Sequence, residues 1–185
     1  MREVSSEKGF VMGVLERQRH SVSVQDKYGW TALHWAIAIG KQDGESVGLL
    51  IRASSNLSIQ SNSGQTPLHV VARHRRGSTL KSLLISGADV SIQDESSWTP
   101  LHTAVVSCRI TVGDGFNDMS VEGWDNVVSM LLDAHANPNA QDVHSRTPLH
   151  LAALLLRSKE ADIPWVGKTH WWSRLLRGKS ALSEF

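Results

Sequence analysis

Cysteine is almost missing from this chain. Cys108 stands alone among 185 residues, which excludes an internal disulfide framework and fits a reducing compartment. An excess of charge is missing too: 19 Lys and Arg against 18 Asp and Glu leave a formal +1, so no bulk field favours nucleic acid or an anionic membrane. No apolar run approaches the ~18 residues of a membrane span. The first residues, Met1-Arg2-Glu3-Val4-Ser5-Ser6-Glu7-Lys8, lack the apolar stretch of a secretory signal. A cytosolic or nuclear protein is the expectation. Proline is scarce as well, with five in all, yet three of them fall in one recurring tetrapeptide.

That recurrence organises the chain. Thr31-Ala32-Leu33-His34, Thr66-Pro67-Leu68-His69, Thr99-Pro100-Leu101-His102 and Thr147-Pro148-Leu149-His150 place their threonines 35, 33 and 48 residues apart. Six residues before each threonine a second signal ends: Val22-Ser23-Val24-Gln25, Leu57-Ser58-Ile59-Gln60, Val90-Ser91-Ile92-Gln93 and Pro138-Asn139-Ala140-Gln141. A third is the leucine pair at Leu49-Leu50, Leu83-Leu84, Leu131-Leu132 and Leu175-Leu176. The chemistry suits a helical unit. Threonine caps a helix start, and proline follows where its missing N–H costs nothing. Leucine then enters a core, and the small residues Ala36, Ala72, Ala104 and Ala152-Ala153 let helices approach closely. A second helix carries the leucine pair and ends near Gly87 or Gly178, where glycine accepts a left-handed cap. Asp26 to Gly29 and Ser61 to Gly64 read as turns.

Gly64-Gln65-Thr66-Pro67-Leu68-His69, followed by Leu83-Leu84 and Gly87-Ala88-Asp89, resembles the ankyrin-repeat family, and the resemblance covers residues 11–182. It implies an all-α solenoid of stacked helix–turn–helix units with projecting hairpin-like turns. The expected organisation is a flexible N-terminus over 1–10, a half-repeat cap over 11–25, and repeats over 26–60, 61–93, 94–141 and 142–185. Thr99 to Leu131 is about 15 residues longer than Thr66 to Leu83, and Thr147 to Leu175 about 11 longer, so insertions are expected near 109–123 and 157–168. The pattern also departs locally. Ala32 replaces proline, and Ser97 and Ser145 stand where the turn carries glycine, so strain or another turn type is expected there. Leu154-Leu155-Leu156 leaves the last repeat apolar where an end cap is normally polar.

Candidate chemistry is thin. The repeat histidines His34, His69, His102 and His150 lie one per unit, too dispersed for tetrahedral metal coordination, and read as architecture. Gly178-Lys179-Ser180 lacks the upstream glycine of a phosphate loop, because position 173 is serine. Asp114 to Glu122 is acidic, but Phe116 occupies a calcium-ligand position. Cys108 has no visible paired base. No catalytic residue, cofactor or metal is therefore assigned.

Surface candidates point to another protein as partner. The resemblance implies that the residue before each threonine lies near the projecting turn, and those residues are Trp30, Gln65, Trp98 and Arg146, with Tyr28 beside the first. Tryptophan, tyrosine and arginine are enriched at interface hot spots. Arg73, His74, Arg75 and Arg76 form a basic run at a helix end, read either as macrodipole complement or as a docking patch for an acidic partner. Lys168, Arg174, Arg177 and Lys179 make a second basic set, and Phe116, Trp124 and Trp165 are aromatic candidates in the insertions. The function expected is a non-enzymatic scaffold or adaptor that binds a protein through a concave strip of Tyr28, Trp30, Gln65, Arg73, His74, Trp98 and Arg146. The alternative is a targeting or regulatory fragment of a larger multidomain enzyme or regulator.

Overall fold

The computed structural model describes residues 22–39, 44–53, 56–107 and 122–157. Within them run seven helices: α1 Ala32–Ile39, α2 Gly44–Ala53, α3 Pro67–His74, α4 Gly77–Ile85, α5 Pro100–Val106, α6 Glu122–Asp133 and α7 Pro148–Arg157. No strand occurs among the described residues. Each is short, and helices of this length are marginal alone in water, so packing must hold them. The packing is in two layers. Helices α1, α3, α5 and α7 lie side by side in chain order; α2, α4 and α6 form a second row, each also packed on its own partner.

The capping tetrapeptide explains why each first helix begins where it does. Thr66 (φ −86, ψ 165) and Thr99 (φ −83, ψ 166) are extended N-caps, with proline at the next position. Histidine, three residues on, completes a capping box. His69 Nδ1 lies 3.2 Å from the Thr66 backbone N and 2.9 Å from its hydroxyl, and His102 repeats this with Thr99 at 3.1 and 2.9 Å. Thr31–His34 forms the same pairs at 3.2 and 2.9 Å although Ala32 replaces proline, so the box does not depend on the ring.

The core is continuous along the stack. Leu33, Ile37, Leu68, Val71, Leu101 and Val105 of the first layer meet Val47, Ile51, Leu80, Leu83, Val128 and Leu131 of the second. Ala72 and Ala104 are fully enclosed between neighbouring helices, as close approach requires. Gly87 ends the α4 segment at φ +85 in the left-handed region expected of it. Ser97 and Ser145 do not change the turn type: they adopt φ +58 and +57 in the same tight turn that Gly29 makes at +73. The strain is therefore carried by serine in place.

Both expected insertions, the segment 1–21 with most of the half-repeat cap, and Leu175-Leu176 with Gly178 lie mainly or wholly outside the described residues. Among the described residues no helix is long and apolar enough to cross a membrane.

Candidate functional site

Four turn tips project ahead of α1, α3, α5 and α7, and a single residue folds each one. Asp26 Oδ1 accepts from the N–H groups of Tyr28 and Trp30 at 2.8 and 2.9 Å. Asp94 does the same for Ser96 and Trp98, and Asp142 for His144 and Arg146. Ser61 serves the second tip, its hydroxyl taking the Gln65 N–H at 3.1 Å. Backbone bonds close every tip: the first residue donates to the carbonyl before the threonine, from Asp26 to Trp30 at 2.9 Å through Asp142 to Arg146 at 2.9 Å.

Three sets of bonds then fix one tip against the next. The backbone N–H of Asn62 donates to Tyr28 O at 3.0 Å, Glu95 to Ser63 O at 3.2 Å and Val143 to Ser96 O at 3.2 Å. The repeat histidines supply the second set. A backbone N–H can only donate, so Nδ1 is the acceptor and the neutral ring carries its proton on Nε2. From there His34 donates to Gln65 O (3.1 Å), His69 to Trp98 O (2.9 Å) and His102 to Arg146 O (3.2 Å). Burial, only partly offset by those carbonyls and nearby aspartates, holds all three rings below the ordinary imidazole pKa. The third set is the glutamine of the Val-Ser-Val-Gln signal. Gln60 Nε2 donates to Gly64 O at 2.8 Å in its own tip and to Gln93 O at 3.0 Å in the next; Gln25 likewise bonds Gly29 O and Gln60 O, both at 2.7 Å. The sequence showed the period of this glutamine but not its work, because a bond from a side chain to a carbonyl 33 or 35 residues further on leaves no local pattern.

These ladders align Trp30, Gln65, Trp98 and Arg146 as a row. Their surroundings differ. Tyr28 is the most open, 54% exposed, with Lys27 Nζ 4.8 Å from its ring centroid. Trp30 is half-buried, its ring 4.8 Å from Trp35 and 5.8 Å from His34. Gln65 is half-buried and lends its carbonyl to His34. Trp98 packs against the core, and its indole N–H reaches Asp142 Oδ2 of the following tip at 3.3 Å. Arg146 forks onto the same oxygen, with Nε and Nη2 each at 2.8 Å. Burial pushes the Asp142 carboxyl up, but the Arg146 guanidinium, the Arg146 and His144 N–H groups and the Trp98 indole outweigh it and hold the carboxyl well below the usual range. Arg73 and His74 are exposed but lie at the far end of α3 and not at the tips.

Trp35 escaped sequence reasoning. It follows the repeat histidine, a register where Val70, Thr103 and Leu151 are buried, so it reads as core. It is instead 40% exposed, with its indole N–H on Asp26 Oδ2 at 2.8 Å. With Trp30, 4.8 Å from it ring to ring, and the exposed Tyr28 of the same turn, it puts three aromatic side chains on the first tip. Size was the available signal: no other repeat puts so large a side chain there.

Among the described residues no three His, Cys, Asp or Glu side chains are grouped to hold a metal ion. Cys108, Phe116, Trp165, the acidic loop and Gly178-Lys179-Ser180 lie outside those residues, and nothing is described of the Trp124 side chain.

Helical hairpins joined through a ladder of turn tips define a repeat solenoid, in which each unit is held by its neighbours. Family models agree: ankyrin repeats in three copies match residues 5–94 and 38–113, and a single ankyrin repeat matches 96–143. The chain belongs to the ankyrin-repeat family. Ankyrin repeats are generally protein–protein interaction modules and typically non-enzymatic. None of the curated proteins matches the chain.

Proposed function

We propose that this protein is a non-enzymatic adaptor of the cytosol or nucleus that holds a partner protein along the concave side of the stack, on the turn tips and first helices. The repeats are taken to divide at residues 26–60, 61–93, 94–141 and 142–185, with a half-repeat before them. The observation that carries the reading is the first tip: Tyr28, Trp30 and Trp35 present a rigid aromatic surface whose backbone is tied at both ends of the turn. Rigid aromatic anchors lose little entropy on binding and dominate interface energies. Trp98 contributes area to the same strip, and Gln65 lies between the two tryptophans in the row. Arg146, committed to Asp142, serves as polar rim.

The test begins with affinity capture and mass spectrometry to name the partner, followed by measured affinities for Tyr28→Ala with Trp30→Ala and, separately, Trp98→Ala. The double variant is expected to weaken binding by at least tenfold, about 1.4 kcal/mol, while circular dichroism stays native. Unchanged affinity in a folded double variant removes the strip.

A further inference from the structure

The loop joining α3 to α4 runs against the local preferences of helix ends. It reads Arg73-His74-Arg75-Arg76. The helix macrodipole favours Arg73 and His74 in the last turn of α3. It does not favour the next two. Arg75 takes φ +57, ψ +34, a left-handed cap that suits glycine or asparagine. Arg76 is the N-cap of α4, makes no side-chain cap bond, and puts a positive charge at the positive end of a helix. Among the described residues no carboxylate forms an ion pair with Arg73, His74 or Arg76. Partial desolvation, and then the nearby charges of Arg76, Arg73 and Arg75, hold the His74 ring below its ordinary pKa. Sites where local preference is overridden are where function is expected.

Position fixes what the cluster faces. Arg73 lies one turn beyond His69, whose ring donates to the Trp98 carbonyl, so it shares the side of α3 that meets the tips. One repeat earlier the register of His74 holds Ile39, 70% exposed, and one repeat later the register of Arg73 holds Val106, half-buried. The cationic centre is therefore flanked by apolar side chains along the stack.

We propose that this loop is a recognition centre for an acidic protein segment, its carboxylates on Arg73, His74 and Arg76 and an adjacent apolar side chain on Ile39. The inference rests on the strip proposed above and names the chemistry of its partner. Carboxylates meet arginine in fork geometry, and a charge cluster that repels itself in the free protein gains most when countered.

The whole chain serves as the test object. A fluorescein-labelled twelve-residue peptide with six glutamates and two leucines is titrated by fluorescence anisotropy at low salt, beside the same peptide with glutamine for glutamate and a twelve-nucleotide single strand. The acidic peptide is expected to bind at least tenfold tighter than the glutamine peptide, and tighter than the oligonucleotide. Arg76→Asp is the decisive variant, because aspartate is a good N-cap: it should raise the melting temperature while weakening the acidic peptide at least tenfold. Arg73→Gln should weaken it with little effect on melting. Full binding by Arg76→Asp, or equal affinity for the glutamine peptide, overturns the proposal, and preference for the oligonucleotide replaces it with a nucleic-acid site. Applied to the captured partner, the two ideas separate. Loss with Arg76→Asp alone retains the acidic centre and removes the aromatic anchors; loss with Tyr28→Ala and Trp30→Ala alone does the reverse.

Discussion

The first and last turn tips share one backbone and use it differently. Both are folded by an aspartate whose Oδ1 takes two N–H groups. The second oxygen separates them. Asp26 Oδ2 holds Trp35 of its own repeat, and the aromatic cluster around that tip stays open. Asp142 Oδ2 gathers Arg146 and the indole of Trp98 from the repeat before, inside a buried contact. The last tip is further gripped by His102 and by the Val143–Ser96 bond. An identical turn thus serves as a display element at one place and as a staple at another, according to where one carboxylate oxygen is directed.

The histidine grip gives the largest expected effect. His34, His69 and His102 have folded-state pKa values lowered chiefly by burial, so below the ordinary imidazole value near 6.5 the unfolded chain binds protons that the folded chain resists. Stability is then complete above that value and falls as the pH drops through and below it. Each ring contributes a slope of at most about 1.4 kcal/mol per pH unit. Protonation also removes the lone pair that accepts the threonine N–H. Unfolding midpoints in urea at pH 7.5, 6.5 and 5.5 should show a plateau and then a fall. Native-state hydrogen exchange at pH 5.5 should open the Asp142–Arg146 turn, which a histidine holds, more than it does at pH 7.5. A midpoint that stays flat to pH 5.5 would show that the histidine ladder adds nothing to the staple.

Exchanging the carboxylates addresses the comparison directly. Asp142→Ala removes a buried acceptor of five hydrogen bonds and should cost about 2–3 kcal/mol. Asp26→Ala removes an exposed one and should cost clearly less, while loosening Trp35. Thermal melts of the two variants measure the difference, and equal costs would mean that the last tip is no more a staple than the first.

How far each feature was legible follows from the range of the interactions that make it. The Thr-Pro-Leu-His cap and the Gly87 terminus are local, with their partners within a few residues, while the leucine core showed itself only by recurring at a fixed step; the family resemblance rested on all three. Trp30 and Trp98 occupy equivalent sequence positions and read alike, yet one packs at a tilt against Trp35 and the other reaches Asp142 across 44 residues. Nothing within a single repeat encodes that difference. The same holds for Trp35, whose register is core in three repeats and surface in its own. For the α3–α4 loop the sequence showed a basic run, but only backbone geometry shows that Arg75 and Arg76 sit where helix ends disfavour them.

Backbone conformation supplies the finest contrast between the two tips. Gly29 and Ser145 hold the same turn position at φ +73 and +57. At Gly29 a side chain has no room: an added Cβ would lie 2.5 Å from the Asn62 backbone N, the atom whose N–H bonds the Tyr28 carbonyl. Gly29→Ala combines left-handed strain of about 1–2 kcal/mol with loss of that tip-to-tip bond, so it should cost about 2 kcal/mol or more. At Ser145 the strain is already present, and Ser145→Gly should relieve it. Glycine returns part of the gain through its freer unfolded chain, about 0.5–1 kcal/mol, which leaves a net stabilisation of about 0.5 kcal/mol. Opposite signs at equivalent positions are the expected result in paired urea titrations. Destabilisation by both variants would show that the Ser145 side chain contributes a contact worth more than the strain it imposes.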